Sequence, residues 1–393
     1  MILDPARWAA IPGLPAVLAA LPDARIVGGA VRDALMDLPL SDVDLATALP
    51  PKEVIAHLES AGLKAVPTGL KHGTITAVSA GHPFEVTTLR HDLRTDGRHA
   101  EVAFTNDWQA DAARRDFTIN ALYADPVTGD ITDWFGGLED ISLARVRFIG
   151  EPLRRIAEDH LRILRFFRFT ARFARRVDPA GLAACSARAN DLMALSRERI
   201  RDELLKILAL PAPVATLATM LDHGILRPVL PEIRAETLPA LTALIAAEAT
   251  VGLPADPLRR LAALLPADAT IVDDISARLK LSNTDRVRMG HAASRAPVAA
   301  DPRATAYALG TTSTLDRLLL TADPRAAAWA PRLASWRKPR LPLSGKDLIA
   351  MGLSPGPIVS AKLADVERRW IAAGFPSDRE TTAAIARQVL GLA

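Results

Sequence analysis

In the segment SDVDLA, Asp42 and Asp44 flank a single valine. On a strand, residues at i and i+2 share one face, with Cα atoms about 6–7 Å apart. Two carboxylates held that close repel each other unless a cation joins them. Magnesium suits such oxygens when a substrate's phosphates complete its shell. A clamp of this kind serves in-line phosphoryl or nucleotidyl transfer. Taken alone, the pair reads better as a solvated strand edge, because two aspartates at this spacing are common.

The residues just upstream change that balance. Gly28 and Gly29 can bring backbone N–H groups close to a phosphate, and a helix starting there adds its positive end. Arg32 lies about one turn into that helix and can grip a phosphate, while Asp33 can hold Arg32. Glycine turn, arginine and paired aspartates fall within the nineteen residues Gly28 to Ala46. Neither the GxGxxG dinucleotide fingerprint nor the GK[ST] phosphate loop is present. Glu85, in the strand-like FEVTTLR, is the candidate third metal carboxylate, and Asp92 and Asp96 are weaker rivals.

Three further groups can surround a nucleotide. In RRDFTINA, read as helix, Arg115 can take phosphate, and Asp116 and Asn120 can bond a ribose hydroxyl. An Arg–Asp surface network is the alternative. In AEDHLRILRFFRF, Asp159 and Arg162 stand at i,i+3, which predicts one helix face. Cytosine and adenine each present an exocyclic amine beside an unprotonated ring nitrogen. Asp159 can accept from the amine and Arg162 can donate to the ring nitrogen. Uracil and guanine present a carbonyl instead, a mismatch worth roughly 1–3 kcal/mol. The alternative is a plain intrahelical ion pair, oriented through Glu158, worth about 0.2–0.5 kcal/mol. Downstream, Arg165, Arg168 and Arg172 form a basic helical surface able to receive an RNA backbone, with Phe166, Phe167, Phe169 and Phe173 as its buried partners.

These residues need elements to position them. The stretch to about residue 140 mixes helical periods with alternating segments: strands at Arg25–Val27, DVDLATAL, LKAVPTG, GTITAVSAG and HPFEVTTLR, and a helix over PKEVIAHLESAG. That mixture predicts a small α+β domain with a helix-flanked sheet. Residues 91–107 are polar and weakly periodic, which predicts a long loop. From residue 150 nearly every segment has a 3.6-residue period and predicts helix, with PRLPLSGKDLIAMGLSPGP as a turn-rich insertion. The 393-residue length implies two or more domains. Apolar residues at 49% and charged residues at 24% are the balance of a folded soluble chain. Cys185, the single cysteine, excludes an internal disulfide framework and fits a reducing cytoplasm. It reads as a core residue, and no Cys/His spacing supports zinc. No secretory signal or membrane span is expected. The net charge of +3 is a weak signal, but arginine greatly outnumbers lysine. Bidentate phosphate contacts and codon usage explain that bias equally well.

Together these stretches resemble the tRNA nucleotidyltransferase and poly(A) polymerase family of the bacterial, class II type. IVGGAVRDALMDLPLSDVDLAT resembles the head motif, RRDFTINAL the next, DWFGGLEDI a glycine turn, the Glu158, Asp159, Arg162 set the base-reading motif, and SRERIRDEL a further arginine-bearing one. Met36 and Asp37 depart from the Leu-Gly often found there, and no histidine–aspartate hydrolase array follows. The resemblance implies an α+β nucleotidyltransferase head with a small mixed or antiparallel sheet over residues 1–148. A helical neck over 149–215 and a helical body and tail over 216–393 would follow. It implies template-independent addition of C, C and A from CTP and ATP to the tRNA 3′ end, with Mg²⁺ on Asp42 and Asp44. Poly(A) synthesis and CC-only or A-only addition remain open. Gly28, Gly29 and Arg32 would hold triphosphate, Asp116 and Asn120 would lie near ribose, and Asp159 and Arg162 would act as a protein template. LRTDGRH matches the family loop associated with the terminal A. The expected partners are tRNA, CTP and ATP, without membrane or DNA.

Overall fold

Alternation of side chains decides the sheet. The computed structural model describes residues 2–40, 42–95 and 100–392. It places strands β1 at Arg25–Val27, β2 at Asp44–Thr47, β3 at Lys64–Gly69, β4 at Thr74–Ser79 and β5 at His82–Thr88. β6 at Arg90–Thr95, β7 at Ala100–Phe104, β8 at Leu122–Ala124 and β9 at Ile131–Asp133 follow. Seven strands form one mixed sheet in the order β3-β4-β5-β2-β1-β8-β9. β2 runs parallel to β5, and the other neighbours are antiparallel.

The helices of this part are α1 Ala6–Ala9, α2 Leu14–Ala20, α3 Gly29–Leu35, α4 Pro51–Ser60, α5 Trp108–Ala113 and α6 Gly137–Ser142. Next come α7 Pro152–Glu158, α8 Arg162–Phe173, α9 Pro179–Ala187, α10 Arg197–Leu208 and α11 Val214–Asp222. α4 starts on proline, buries Val54 and Leu58 one turn apart, and stops before Gly62 at φ +73°. With α2 it covers one sheet face, where Leu14, Val17, Ile26, Leu45, Ile75 and Val86 share a core. Each such burial contributes about 1.5–3 kcal/mol. Side chains one residue along β1 and β2, Val27 and Ala46, join a second cluster with Leu89 and Tyr123. By strand alternation Asp44 lies on that second face, and so does Glu85, its register partner across the parallel pair.

Contact density divides the chain into two units, Met1–Ala235 and Glu236–Ala393. The second is helical throughout its described residues, from Leu238–Val251 to Arg379–Leu390. Among the described residues no helix is long and apolar enough to cross a membrane.

Four local expectations need correction. The stretch 91–107 is largely the antiparallel pair β6–β7 rather than a loop, and residues 96–99 lie outside the described residues. The pair forms its own two-stranded sheet, so no core imposed an apolar alternation that could be read. α5 ends at Ala113, and the next stretch breaks into a short 3₁₀ turn at Thr118–Asn120 before β8. β2 begins at Asp44, leaving Asp42 just ahead of the strand, although Asp42 and Asp44 are both exposed with Val43 buried between them. Finally, GKDLIA in the turn-rich insertion is a helix, Gly345–Ala350, started by a Ser344–Asp347 capping box.

Candidate functional site

The glycine turn links β1 to α3. Gly28 adopts φ +70°, and a Cβ there would lie 3.2 Å from Arg115 Nη1. Its successor Gly29 opens α3, and a Cβ would meet Arg32 Nη2 only at an ordinary 3.5 Å. The first glycine is therefore required by backbone and neighbour, while the second leaves room at the cavity. That cavity, ≈ 610 Å³, is lined by the glycine turn, the aspartate pair, the turn after α5 and the start of α8. Every sequence-predicted site residue except Glu85 lines it: Gly28, Gly29, Arg32, Asp42, Asp44, Arg115, Asp116, Asn120, Asp159, Arg162, Arg165, Arg168 and Arg172.

The cationic side chains are held in place by the protein. Arg32, only 5% exposed, directs Nε and Nη2 at Asp33 and donates from Nη1 to Asn120 Oδ1. Its guanidinium lies over Phe173 at 4.3 Å and Phe169 at 5.3 Å. Burial lowers the Arg32 pKa more than Asp33 raises it. Because each of its nitrogens has a protein partner, Arg32 offers the cavity a fixed charge rather than an open fork. Asn120 Nδ2 in turn donates to Asp116 Oδ1 at 2.9 Å, and Arg165 Nε donates to Asp116 Oδ2 at 2.7 Å. Burial pushes the Asp116 carboxyl up, but Arg165 and Asn120 outweigh it and hold it below its ordinary range. Arg115 donates to Tyr123 Oη at 3.1 Å and to Asp111 Oδ2 at 3.3 Å.

Two expectations about local structure fail here although the residues still converge. Asp116 and Asn120 do not share a helix with Arg115. Asp116 instead accepts the Phe117 N–H at 2.9 Å and turns the chain into the 3₁₀ segment that presents Asn120. A buttress holds that segment. Asp133 accepts from the N–H groups of residues 135–138, starting α6, and Gly137 fits against the Thr118 carbonyl, where a Cβ would come within 2.3 Å. Asp159 and Arg162 do not share a helix face either. α7 ends at Glu158, Asp159 is extended at φ −152°, and Arg162 opens α8. Arg162 is pinned through Nη1 to Glu158 at 2.6 Å and the Arg155 carbonyl at 2.8 Å, and through Nη2 to the Arg114 carbonyl at 2.9 Å. The orienting role read for Glu158 is thus present.

α8 carries Arg165, Arg168 and Arg172 over a floor of Phe166, Phe167, Phe169 and Phe173, all buried. Arg168 donates to Glu203 of α10 at 2.6 Å, and Arg172 approaches Asp33 at 3.4 Å. Asp44 reaches solvent but sits in the concave site. Its carboxyl pKa is raised by desolvation first, then by Glu85 and Asp42, with Arg115 opposing. Among the described residues no three His, Cys, Asp or Glu side chains form a ready metal cluster. A repelling carboxylate pair that leaves coordination positions for phosphate oxygens fits a hard divalent cation.

Sequence reading missed the supporting carboxylates. Asp111, 1% exposed, accepts from Arg114, Arg115 and Tyr123. Its i,i+4 spacing to Arg115 was the available signal. Arg199, inside SRERIRDEL, reaches Asp159 across 40 residues, a link no local spacing reveals.

Known proteins resemble this chain over most of its length. Residues 24–147 match the family model described as the poly A polymerase head domain, and 176–237 match that described as a probable RNA and SrmB-binding site of polymerase A. The chain is 34% identical to the mitochondrial CCA tRNA nucleotidyltransferase 1 of Homo sapiens, over 91% of this chain and 84% of the relative. It is 32% identical to the CCA-adding enzyme of Lacticaseibacillus paracasei, over 99% and 98% respectively. The crystal structure of the Bacillus stearothermophilus CCA-adding enzyme in complex with CTP superposes with a TM-score of 0.76 at 29% identity, covering 98% of this chain and 97% of that one. Relatives at 34% and 32% identity that span nearly the full length place the chain, with its paired aspartates and arginine-lined cavity, in the CCA-adding tRNA nucleotidyltransferase family.

Proposed function

We propose that this chain builds the complete C, C, A sequence on tRNA 3′ ends from CTP and ATP, using the cavity around Asp42 and Asp159. The observation that carries this reading is convergence. The aspartate pair at the start of β2 and the Asp159–Arg162 pair of the helical segment line one cavity. A triphosphate spanning that cavity would set its α-phosphate near Asp42 and Asp44 and its base near Asp159 and Arg162.

In each step the RNA 3′-hydroxyl oxygen forms a bond to the α-phosphorus and gives up its proton to water, the bond from that phosphorus to the α–β bridging oxygen breaks, and pyrophosphate leaves. The family is metal-dependent, and we assign Mg²⁺ to Asp42 and Asp44, while Glu85, the register partner of Asp44, does not line the cavity and stays outside that assignment. A cation held by Asp42 and Asp44 would supply Lewis-acid chemistry, favouring ionisation of the hydroxyl and offsetting charge on the transferring phosphate. The Gly29 backbone, Arg32 and Arg115 hold the triphosphate, Gly28, whose N–H donates to the Leu122 carbonyl at 3.0 Å, shapes the turn, and Asp116 and Asn120 face the ribose. Asp159 accepts from the base amine while Arg162 donates beside it. Arg165, Arg168 and Arg172 take the RNA backbone. Because these groups are pinned beforehand, little reorganisation accompanies charge development. We assign 1–148 as head, 149–215 as neck and 216–393 as RNA-binding body and tail, in a cytoplasmic setting.

The β6–β7 pair joins the Glu85 strand to the helix preceding Arg115. We assign it the change from pyrimidine to purine at the last step. The deciding assay offers tRNA ending before CCA, after C and after CC, with each nucleotide separately, and resolves products to one residue. C, C and then A confirms the reading. Repeated A addition identifies a poly(A) polymerase, and arrest after CC, or A addition alone, identifies a partial enzyme.

A further inference from the structure

Asp159 is the group proposed to face the base, yet no helix fixes its carboxylate. It lies in extended conformation between α7 and α8, where its side-chain torsions are not set by a helical turn. Two contacts set them instead. Oδ1 accepts the Leu161 N–H at 3.0 Å, and Oδ2 accepts from Arg199 Nη2 at 2.8 Å. The first contact is local and moves with the junction. The second comes from α10, whose Ile200, Leu204, Ile207 and Leu208 are buried. Arg199 does not line the cavity. One turn further along the same helix, buried Glu203 accepts from cavity-lining Arg168 and from Lys206.

We infer that Arg199 is a positioning residue for base choice: it holds Oδ2 from outside the cavity and so aims the Asp159 carboxylate as an acceptor. The inference rests on the base-facing reading of Asp159. A carboxylate taking N–H donors on both oxygens can present only lone pairs to a ligand. An exocyclic amine satisfies them, and a carbonyl meets them with its own. That penalty exists only while the carboxylate cannot swing aside, and Arg199 is the contact from a separate, packed element that prevents it.

The test uses the full chain, with single-turnover incorporation of CTP against UTP on tRNA lacking CCA, and of ATP against GTP on tRNA ending in CC. Arg199→Ala is expected to lower both preference ratios about tenfold, within the range one well-placed polar contact contributes to base discrimination. Arg199→Lys keeps one donor and restores most of the preference. Arg197→Ala, on the same helix but approaching only Met193 Sδ at 3.9 Å, leaves the ratios unchanged. Asp159→Ala supplies the reference, and thermal midpoints are measured for all variants. If Asp159→Ala relaxes choice and Arg199→Ala does not, the inference fails while the reading of Asp159 stands. If neither relaxes choice, both fall. Equal losses in Arg197→Ala and Arg199→Ala would mean a general helix defect and would also overturn the inference.

Discussion

Two arginine clusters in this chain do opposite things with the same side chain. Around the cavity, seven arginines face five aspartates, and the excess positive charge surrounds the space to which we assign the triphosphate. In the second unit, Arg259, Arg260 and Arg288 are matched by Glu248, Asp256 and Asp316. Glu248 accepts from Arg259 and Arg260, Asp316 from Arg259 and Arg288, and Asp256 from Arg288, at 2.6–3.0 Å. Arg259, Arg260, Glu248 and Asp316 are buried. Charge there is consumed internally and ties Leu238–Val251, Pro257–Leu264, Asn283–Ala293 and Thr311–Leu320 together. An arginine-rich composition therefore says nothing of function until the carboxylates beside each guanidinium are counted.

The largest expected effect separates the two clusters most cleanly. Asp42→Asn or Asp44→Asn removes a metal carboxylate worth several kcal/mol in the transition state, so incorporation should fall about a thousandfold or more. For Asp44→Asn the thermal midpoint should hold or rise, because desolvation and the Glu85 and Asp42 carboxylates disfavour its charge. Near-normal single-turnover rates at limiting Mg²⁺ would remove the metal assignment. Asp316→Asn should behave in the reverse way. It strips two guanidinium groups of a buried partner and should cost about 3–5 kcal/mol of stability, while incorporation at low temperature stays normal. If incorporation fell with the fold intact, the second cluster would not be purely structural.

Acid sharpens the same contrast. Burial pushes the Asp256 carboxyl up, but the Arg259 N–H and Arg288 outweigh it and hold it below its ordinary range. Its folded pKa is thus lower than its unfolded one. The stabilisation is complete above about pH 4 and is lost as pH falls through the folded value. Asp256→Asn should therefore lower the thermal midpoint at pH 7, and the gap to the parent chain should narrow on acidification. A gap constant with pH would reject the assignment.

What the sequence disclosed follows from range. Strand alternation in β4 and β5, the proline start of α4 and the buried phenylalanines of α8 are local signals, and each was readable. The site residues were readable as chemical types, and all but Glu85 reached the cavity. Their immediate backbone was not. The neighbours of Asp116 and Asp159 carry helical periods, which predict helix at both. Each instead uses its carboxylate to accept a nearby N–H, the competition that makes aspartate leave helices. Asp111 had only its local spacing to Arg114 and Arg115 to mark it, Arg199 acts through a contact 40 residues away, and the β6–β7 pairing had no core to mark it.

The two glycines offer a smaller test. Gly28→Ala forces a side chain into φ +70° and against Arg115, and should cost about 1–3 kcal/mol together with triphosphate affinity. Gly29→Ala meets nothing closer than 3.5 Å and should keep or raise the thermal midpoint. Its KM for CTP should nevertheless rise several-fold if a phosphate approaches that backbone. An unchanged KM would move the phosphate site away from Gly29.

The smallest expected effect concerns Phe169, where the cavity cluster has a device absent from the carboxylate-matched network. The Arg168, Arg165 and Arg32 guanidinium groups lie 4.3, 5.2 and 5.3 Å from its ring centre. Three like charges around one ring repel, and Glu203, Asp116 and Asp33 offset part of that from the outer side. The ring supplies attraction without neutralising charge, so the cations stay available to a polyanion. Each such contact contributes about 0.5–2 kcal/mol, depending on solvation. Phe169→Leu keeps an apolar filler but removes the π-face. KM for the RNA primer should rise several-fold, with a smaller change in kcat, and added salt should shrink the difference because screening weakens the primer's attraction to the arginines in both proteins. Phe169→Tyr keeps the face and should stay near the parent value. If leucine and tyrosine variants had equal KM values and differed only in thermal midpoint, Phe169 would be core filling. The cavity arginines would then be held by their carboxylates alone, as in the second unit.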